Sequence, residues 1–167
     1  MGIPTLIDFE ASCLPSYGQS FPIEVALAGT DASSCNWLIR PDPQWEYWDW
    51  SEEAEALHGI SRAQLEREGM PAAQVLEELI VAARGCDVYA DADLDAYWLE
   101  TLALACGKDV PFPIRFFGEL LEERNYTRAQ VVAALDEARR RMPAEHRARD
   151  DALRLALTLR LLEESAA

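Results

Sequence analysis

The sequence predicts one α/β domain built on a five-stranded mixed sheet, three antiparallel strands followed by two further strands, with helices on both faces. Two observations lead there. Residues 5–11, 21–28 and 35–40 are short strand-like segments separated by turn-forming stretches such as GTDASS, which describes an antiparallel meander. Beyond them, helical periodicity alternates with two short apolar runs at 87–91 and 111–117. A chain of 167 residues, half of them apolar, suits one domain spanning residues 1–167 with a sizeable core.

The elements follow in order. Residues 5–11 alternate and stop at the loop Pro-Ser-Tyr-Gly. PDPQWEYWDW then places Trp45, Trp48 and Trp50 in a proline-bounded loop, where they either cap the core or receive a planar ligand. HGISRAQLERE reads as a short helix with Ser61 as N-cap, and Pro71 opens another whose Val75, Leu76, Leu79, Ile80 and Ala83 share a face. DVYAD is a short buried strand and 94–105 a helix. PFPIRFF is a fifth strand whose prolines suit its start or a sheet edge. Two helices, about 127–140 and 144–164, finish the chain, separated by Met142-Pro143.

Composition excludes several classes of protein. The cysteines at 13, 35, 86 and 106 form no close pair of zinc or redox type, and read as free thiols in a cytoplasmic protein. No apolar run is long enough to cross a bilayer, so no membrane role is expected. A net charge of −15 argues against an all-over basic surface that captures nucleic acid from a distance. The charge is uneven, however: residues 1–123 hold 23 acids and 6 bases, whereas 124–160 hold 9 arginines and 5 acids. That last segment, densest at Arg139 to Arg141, either meets phosphate or simply solvates two helices.

The acids carry the functional argument. Asp8 and Glu10 lie two apart on the first strand, so both side chains leave one face while Ile7 and Phe9 enter the other. Two carboxylates facing one another on a central strand are expensive to desolvate unless a cation sits between them. Asp95 opens the helix after the fourth strand, beside Asp91 and Asp93, at the strand end where open α/β sheets place ligands. Asp151 lies one turn before the most apolar stretch of the last helix, with His146 five residues earlier. Five helical residues turn about 140°, so the two share a site only if His146 lies on the connecting loop or in the frayed first turn of the helix. Four carboxylates without thiolates suit hard Mg²⁺ or Mn²⁺, and a pair of such ions about 4 Å apart is the usual device for phosphodiester cleavage. An imidazole beside them is able to take a proton from the attacking water near neutral pH.

This order of motifs resembles the DEDDh branch of the DnaQ-like 3′–5′ exonucleases, within the ribonuclease H-like superfamily, over nearly the whole chain. IDFEAS is similar to the first motif, VYADADLDAYWL to the second and HRARDDA to the third, with HGIS between the first two. The resemblance implies two bound ions held by Asp8, Glu10, Asp95 and Asp151. Asp8 would bind both; Glu10 would also orient the terminal 3′-hydroxyl; Asp95 would act mainly through water. It implies His146 as general base and nucleoside 5′-monophosphates as products. The stretch around Phe9, Ala11 and Ser12, together with Leu57, His58 and Ile60, would cradle the last nucleotide. Where related second motifs carry His-Asn, this chain has Ala90-Asp91. An ionised Asp91 has no amide to donate to substrate.

The expected substrate is a single-stranded DNA or RNA 3′ end or a short oligonucleotide, with a homodimer or partner protein supplying positive surface. Trp45, Trp48 and Trp50 are candidates for stacking bases, and Arg147 or Arg149 for meeting phosphate. The alternatives are a catalytically weak interaction module that keeps the exonuclease fold, and a ribonuclease H-like endonuclease.

Overall fold

The computed structural model describes residues 2–166. Its organising element is β1, Ile3–Ala11, which has neighbours on both sides. It pairs antiparallel with β2, Pro22–Gly29, setting Asp8 opposite Ala26 and Glu10 opposite Glu24, with an irregularity between Glu10 and Ala11. β3, Ser34–Leu38, extends this meander at the edge. On the other side β4, Cys86–Ala90, runs parallel to β1, and β5, Ile114–Phe116, runs parallel to β4. The order is β3-β2-β1-β4-β5, the expected mixed sheet. Pairing of β1 with β4 ends at Leu6 and Tyr89, so Asp8 and Glu10 lie beyond the paired segment, at the C-terminal edge of the parallel strands.

The period of two along β1 divides the core. Ile7 and Phe9 pack with Val25, Leu76, Leu79, Leu99 and Leu102, under α3 (Ala72–Ala82) and α4 (Leu94–Ala105). Leu6 packs on the opposite face with Ala26, Ala28 and Tyr89. Those small β2 side chains let α7 (Ala148–Ala166) approach through Ala148, Ala152 and Ala156, while Leu155, Leu159 and Leu162 fill the flanks. α6 (Arg128–Arg141) begins at a capping box formed by Thr127 and Gln130 and packs against α7.

Two helices go beyond the elements expected from the sequence. Residues 52–58 form α1, capped by Ser51 and ended by Gly59 in the left-handed region at φ 68°, so His58 closes one helix rather than opening the next. α2, Arg62–Glu68, has Ser61 as its N-cap. After β5 only three residues pair before the chain turns into α5, Phe117–Glu123. The last helix starts at Ala148, later than the expected 144, and leaves His146 on the loop before it.

The aromatic loop caps the core. Trp45 is buried and stacks on Phe21, with centroids 5.4 Å apart and planes 14° from parallel; Trp48 and Trp50 lean against this pair. Trp45 is therefore closed to a stacking base.

Candidate active site

β1 and α7 bring three acids together. One carboxylate oxygen each from Asp8, Glu10 and Asp151 lies within 4.8 Å of the others, and all three side chains are partly buried. Asp95 enters from the first turn of α4 and is 3% exposed. Its Oδ1 accepts the backbone N–H of Phe9 at 2.9 Å, which ties the start of α4 to β1 between Asp8 and Glu10.

Burial and mutual repulsion act in the same direction on this group. Burial, then the charges of Asp95, Glu10 and Asp151, push Asp8 well above the usual carboxylate range. Glu10 is pushed up to about 8 by burial and then by Asp151 and Glu24, with Arg147 tempering the rise. Asp95 is pushed up to about 7, burial outweighing the stabilising bond from Phe9. Burial also raises Asp151, against the opposing pull of Arg154 and the His146 N–H. Asp8, Glu10 and Asp151, which resist ionising together, are the acids placed closely enough to share a divalent cation, with Asp95 beside them. Carboxylate oxygens alone are the donors that suit a hard divalent cation.

His146 reaches the group from the loop. Its backbone is left-handed, φ 61°, and its N–H donates to Asp151 Oδ2 at 2.9 Å. Because it precedes α7, the helical offset from Asp151 does not apply. Its half-exposed imidazole stands where two cavities meet. One, of about 250 Å³, is lined by Asp8, Asp91, Asp151, Arg139 and Arg154. The other, of about 210 Å³, is lined by Phe9, Glu10, Ala11, Leu14, Leu57, His58 and Trp98. Asp91 thus faces the first cavity, while Phe9, Ala11, Leu57 and His58 share the second. Leu14 and Trp98 were not singled out from sequence, although Trp98 follows Asp95 by one turn of α4.

His58 is 5% exposed, and its Nδ1 accepts the Ile60 N–H at 3.0 Å. That places the proton of the neutral ring on Nε2, which makes no well-formed hydrogen bond among the described residues. Burial lowers its pKa. Two expected substrate residues stand behind the wall instead. Ser12 is fully buried, its Oγ accepting the Phe21 N–H and its backbone bonded to Phe21 and Ser51; Ile60 is fully buried in the core.

The arginine-rich segment is largely self-neutralised, which favours the reading that most of its arginines solvate and brace the last two helices. Arg140 and Arg141 both bond Glu137, Arg124 bonds Glu163, and Arg149 donates to Ser34 Oγ. Arg147 is spent on Glu24 through two bonds, at 3.0 and 2.8 Å. Arg154 bonds Asp151 and the Ala144 carbonyl. Arg139, whose nearest acid, Asp136, is 3.9 Å away, faces the first cavity.

No protein-family model and no curated protein matches this sequence. Solved structures do match in fold. A 3′-exonuclease described in 3′-end specific recognition of a histone mRNA stem-loop superposes with a TM-score of 0.71 at 19% identity, over 96% of this chain and 63% of that one. Exonuclease I superposes with a TM-score of 0.70 at 11% identity, over 98% and 41%. A zinc-bound E. coli exonuclease I–single-stranded DNA complex gives 0.68 at 12%, over 97% and 40%. The present chain therefore spans under two thirds of the length of these neighbours. It shares with these 3′-exonuclease and exonuclease I structures the fold of a five-stranded mixed sheet in the order β3-β2-β1-β4-β5.

Proposed function

We propose that this chain is one 3′–5′ exonuclease domain of the DEDDh type, hydrolysing the last phosphodiester of single-stranded or short nucleic acid and releasing nucleoside 5′-monophosphates. The convergence of Asp8, Glu10 and Asp151 within 4.8 Å, beside Asp95 and His146, carries this reading. Asp8, Glu10, Asp95 and Asp151 hold two Mg²⁺ or Mn²⁺ ions, which when bound activate water and neutralise charge on the scissile phosphate.

The chain's own groups do the rest. The cavity of Phe9, Ala11, Leu57 and Trp98 takes the terminal sugar and base, with the His58 Nε2–H as a directed donor. Glu10 borders that cavity and orients the 3′-hydroxyl. Arg139 and Arg154 border the neighbouring cavity, where the adjoining phosphate lies. His146, between the two, removes the proton of the attacking water. The neighbours' descriptions, an mRNA stem-loop 3′ end and a metal-bound single-stranded DNA complex, support substrates of this class. The four free thiols support a reducing, cytoplasmic setting.

Incubating 5′-labelled oligonucleotides with Mn²⁺ or with EDTA tests the proposal. Metal-dependent shortening from free 3′ ends supports it; metal-dependent cutting within 3′-blocked strands would instead favour an endonuclease.

A further inference from the structure

A buried carboxylate that the chemistry above does not use lies across the sheet from Glu10. Glu24 on β2 is 0% exposed and is the direct antiparallel partner of Glu10. At that depth an acid is tolerated only when its oxygens are saturated. Arg147 donates Nε to one oxygen at 3.0 Å and Nη2 to the other at 2.8 Å; the Ala148 N–H donates at 3.0 Å and the Asn36 amide at 3.4 Å. Ala148 is the first residue of α7, so Glu24 satisfies an amide at the helix start that has no partner within the helix.

These bonds grip the residues directly after His146. A non-glycine residue at φ 61° stays there only when its surroundings hold it. On the other side Arg154 holds the Ala144 carbonyl at 2.8 Å, and the His146 N–H is held by Asp151. The turn is pinned at both ends, and the β2 end depends on Glu24.

We propose that Glu24 is a positioning residue: through Arg147 and the Ala148 N–H it fixes the left-handed turn at His146 and so the place of the imidazole beside Glu10 and Asp151. This rests on the exonuclease reading of His146. Packing alone does not require the pair, since buried ion pairs are often replaced by apolar residues without loss of stability. An apolar pair fills the volume but supplies neither the bidentate direction nor the acceptor for Ala148.

The test compares the parent with E24L/R147L and with Arg147→Lys, which keeps the charge but loses the fork. Steady-state kinetics with Mn²⁺ on a short RNA are read beside NMR amide exchange in metal-free protein. In folded E24L/R147L, kcat falls about 100-fold with KM nearly unchanged, the scale of loss for a misplaced group. His146 and Ala148 amides exchange faster, while Leu155 and Leu159 amides do not. R147K loses roughly 10-fold in kcat. Parental kcat in either folded variant overturns the proposal, as does unchanged exchange at His146 and Ala148 in E24L/R147L. If the apolar pair does not fold, kcat and His146 exchange in R147K decide the matter. A parent without metal-dependent cleavage refutes the exonuclease reading instead, and the exchange data still judge the clamp.

Discussion

Phe9 and Asp95 are joined by a 2.9 Å bond from a strand amide to a helix carboxylate, and this bond sets the start of α4 against the edge of the sheet. It gives Asp95 two separable properties. As an acceptor it satisfies a buried N–H; as a charge it completes the acid group. Asp95→Asn, with its side-chain oxygen toward Phe9, should keep the fold and lose at least about 100-fold in activity, whereas Asp95→Leu should also cost about 1–3 kcal/mol by orphaning that N–H. Thermal unfolding and nuclease rates on the two variants separate these effects.

The elevated acids make metal-free stability depend on pH. Glu10 at about 8 and Asp95 at about 7 hold protons in the folded state that the unfolded chain releases in the ordinary carboxylate range, and Asp8 and Asp151 shift the same way. The folded state thus binds more protons, so stability falls as pH rises from about 4.5 through about 8. In EDTA the melting temperature should drop by about 5 °C or more between pH 6 and pH 8.5, with Mn²⁺ recovering most of it at the higher pH. E10Q should flatten the profile. A melting temperature that rises over this range in EDTA would contradict the buried acid group.

The central pattern was legible because it follows a strand's period of two: Ile7 and Phe9 inward on one face, Asp8 and Glu10 together on the other. The mixed sheet was legible for the same kind of reason, from turn residues and short apolar runs. α5 was not, because FGELLEE is seven residues long and follows a strand ending in aromatics. Nor was the geometry at His146, since nothing local marks a histidine for left-handed backbone. The partner of Arg147 lies 123 residues away, and such pairing is a property of the folded sheet alone.

His146 should be needed for turnover and not for metal affinity. His146→Ala should lower kcat by about 10²–10⁴-fold while Mn²⁺ titration stays near parental, because the bond to Asp151 comes from the backbone. His146→Gly, which accepts φ 61° without strain, should be just as slow. Recovery of rate in the glycine variant would mean that backbone shape, not the imidazole, is what catalysis needs.

The spacing between α7 and the sheet sets where Asp151 stands. Ala152 is fully buried in the cluster with Ala26 and Ala28, next to Asp151 in sequence. Ala152→Leu should push the helix outward, costing about 1–3 kcal/mol and weakening Mn²⁺ binding as Asp151 moves from Asp8 and Glu10. Calorimetric titration and a denaturant melt check both; unchanged metal affinity in a destabilised variant would uncouple the helix from the site.

The most direct measurement follows a 5′-labelled single-stranded RNA and its DNA counterpart, each with a free or blocked 3′ end, in Mn²⁺ and in EDTA, with the parent and Asp8→Asn. The account predicts a ladder that shortens stepwise only from free 3′ ends, only with metal and only in the parent, with nucleoside 5′-monophosphates as products. Intact substrates under every metal, or equal cleavage by D8N, would contradict it.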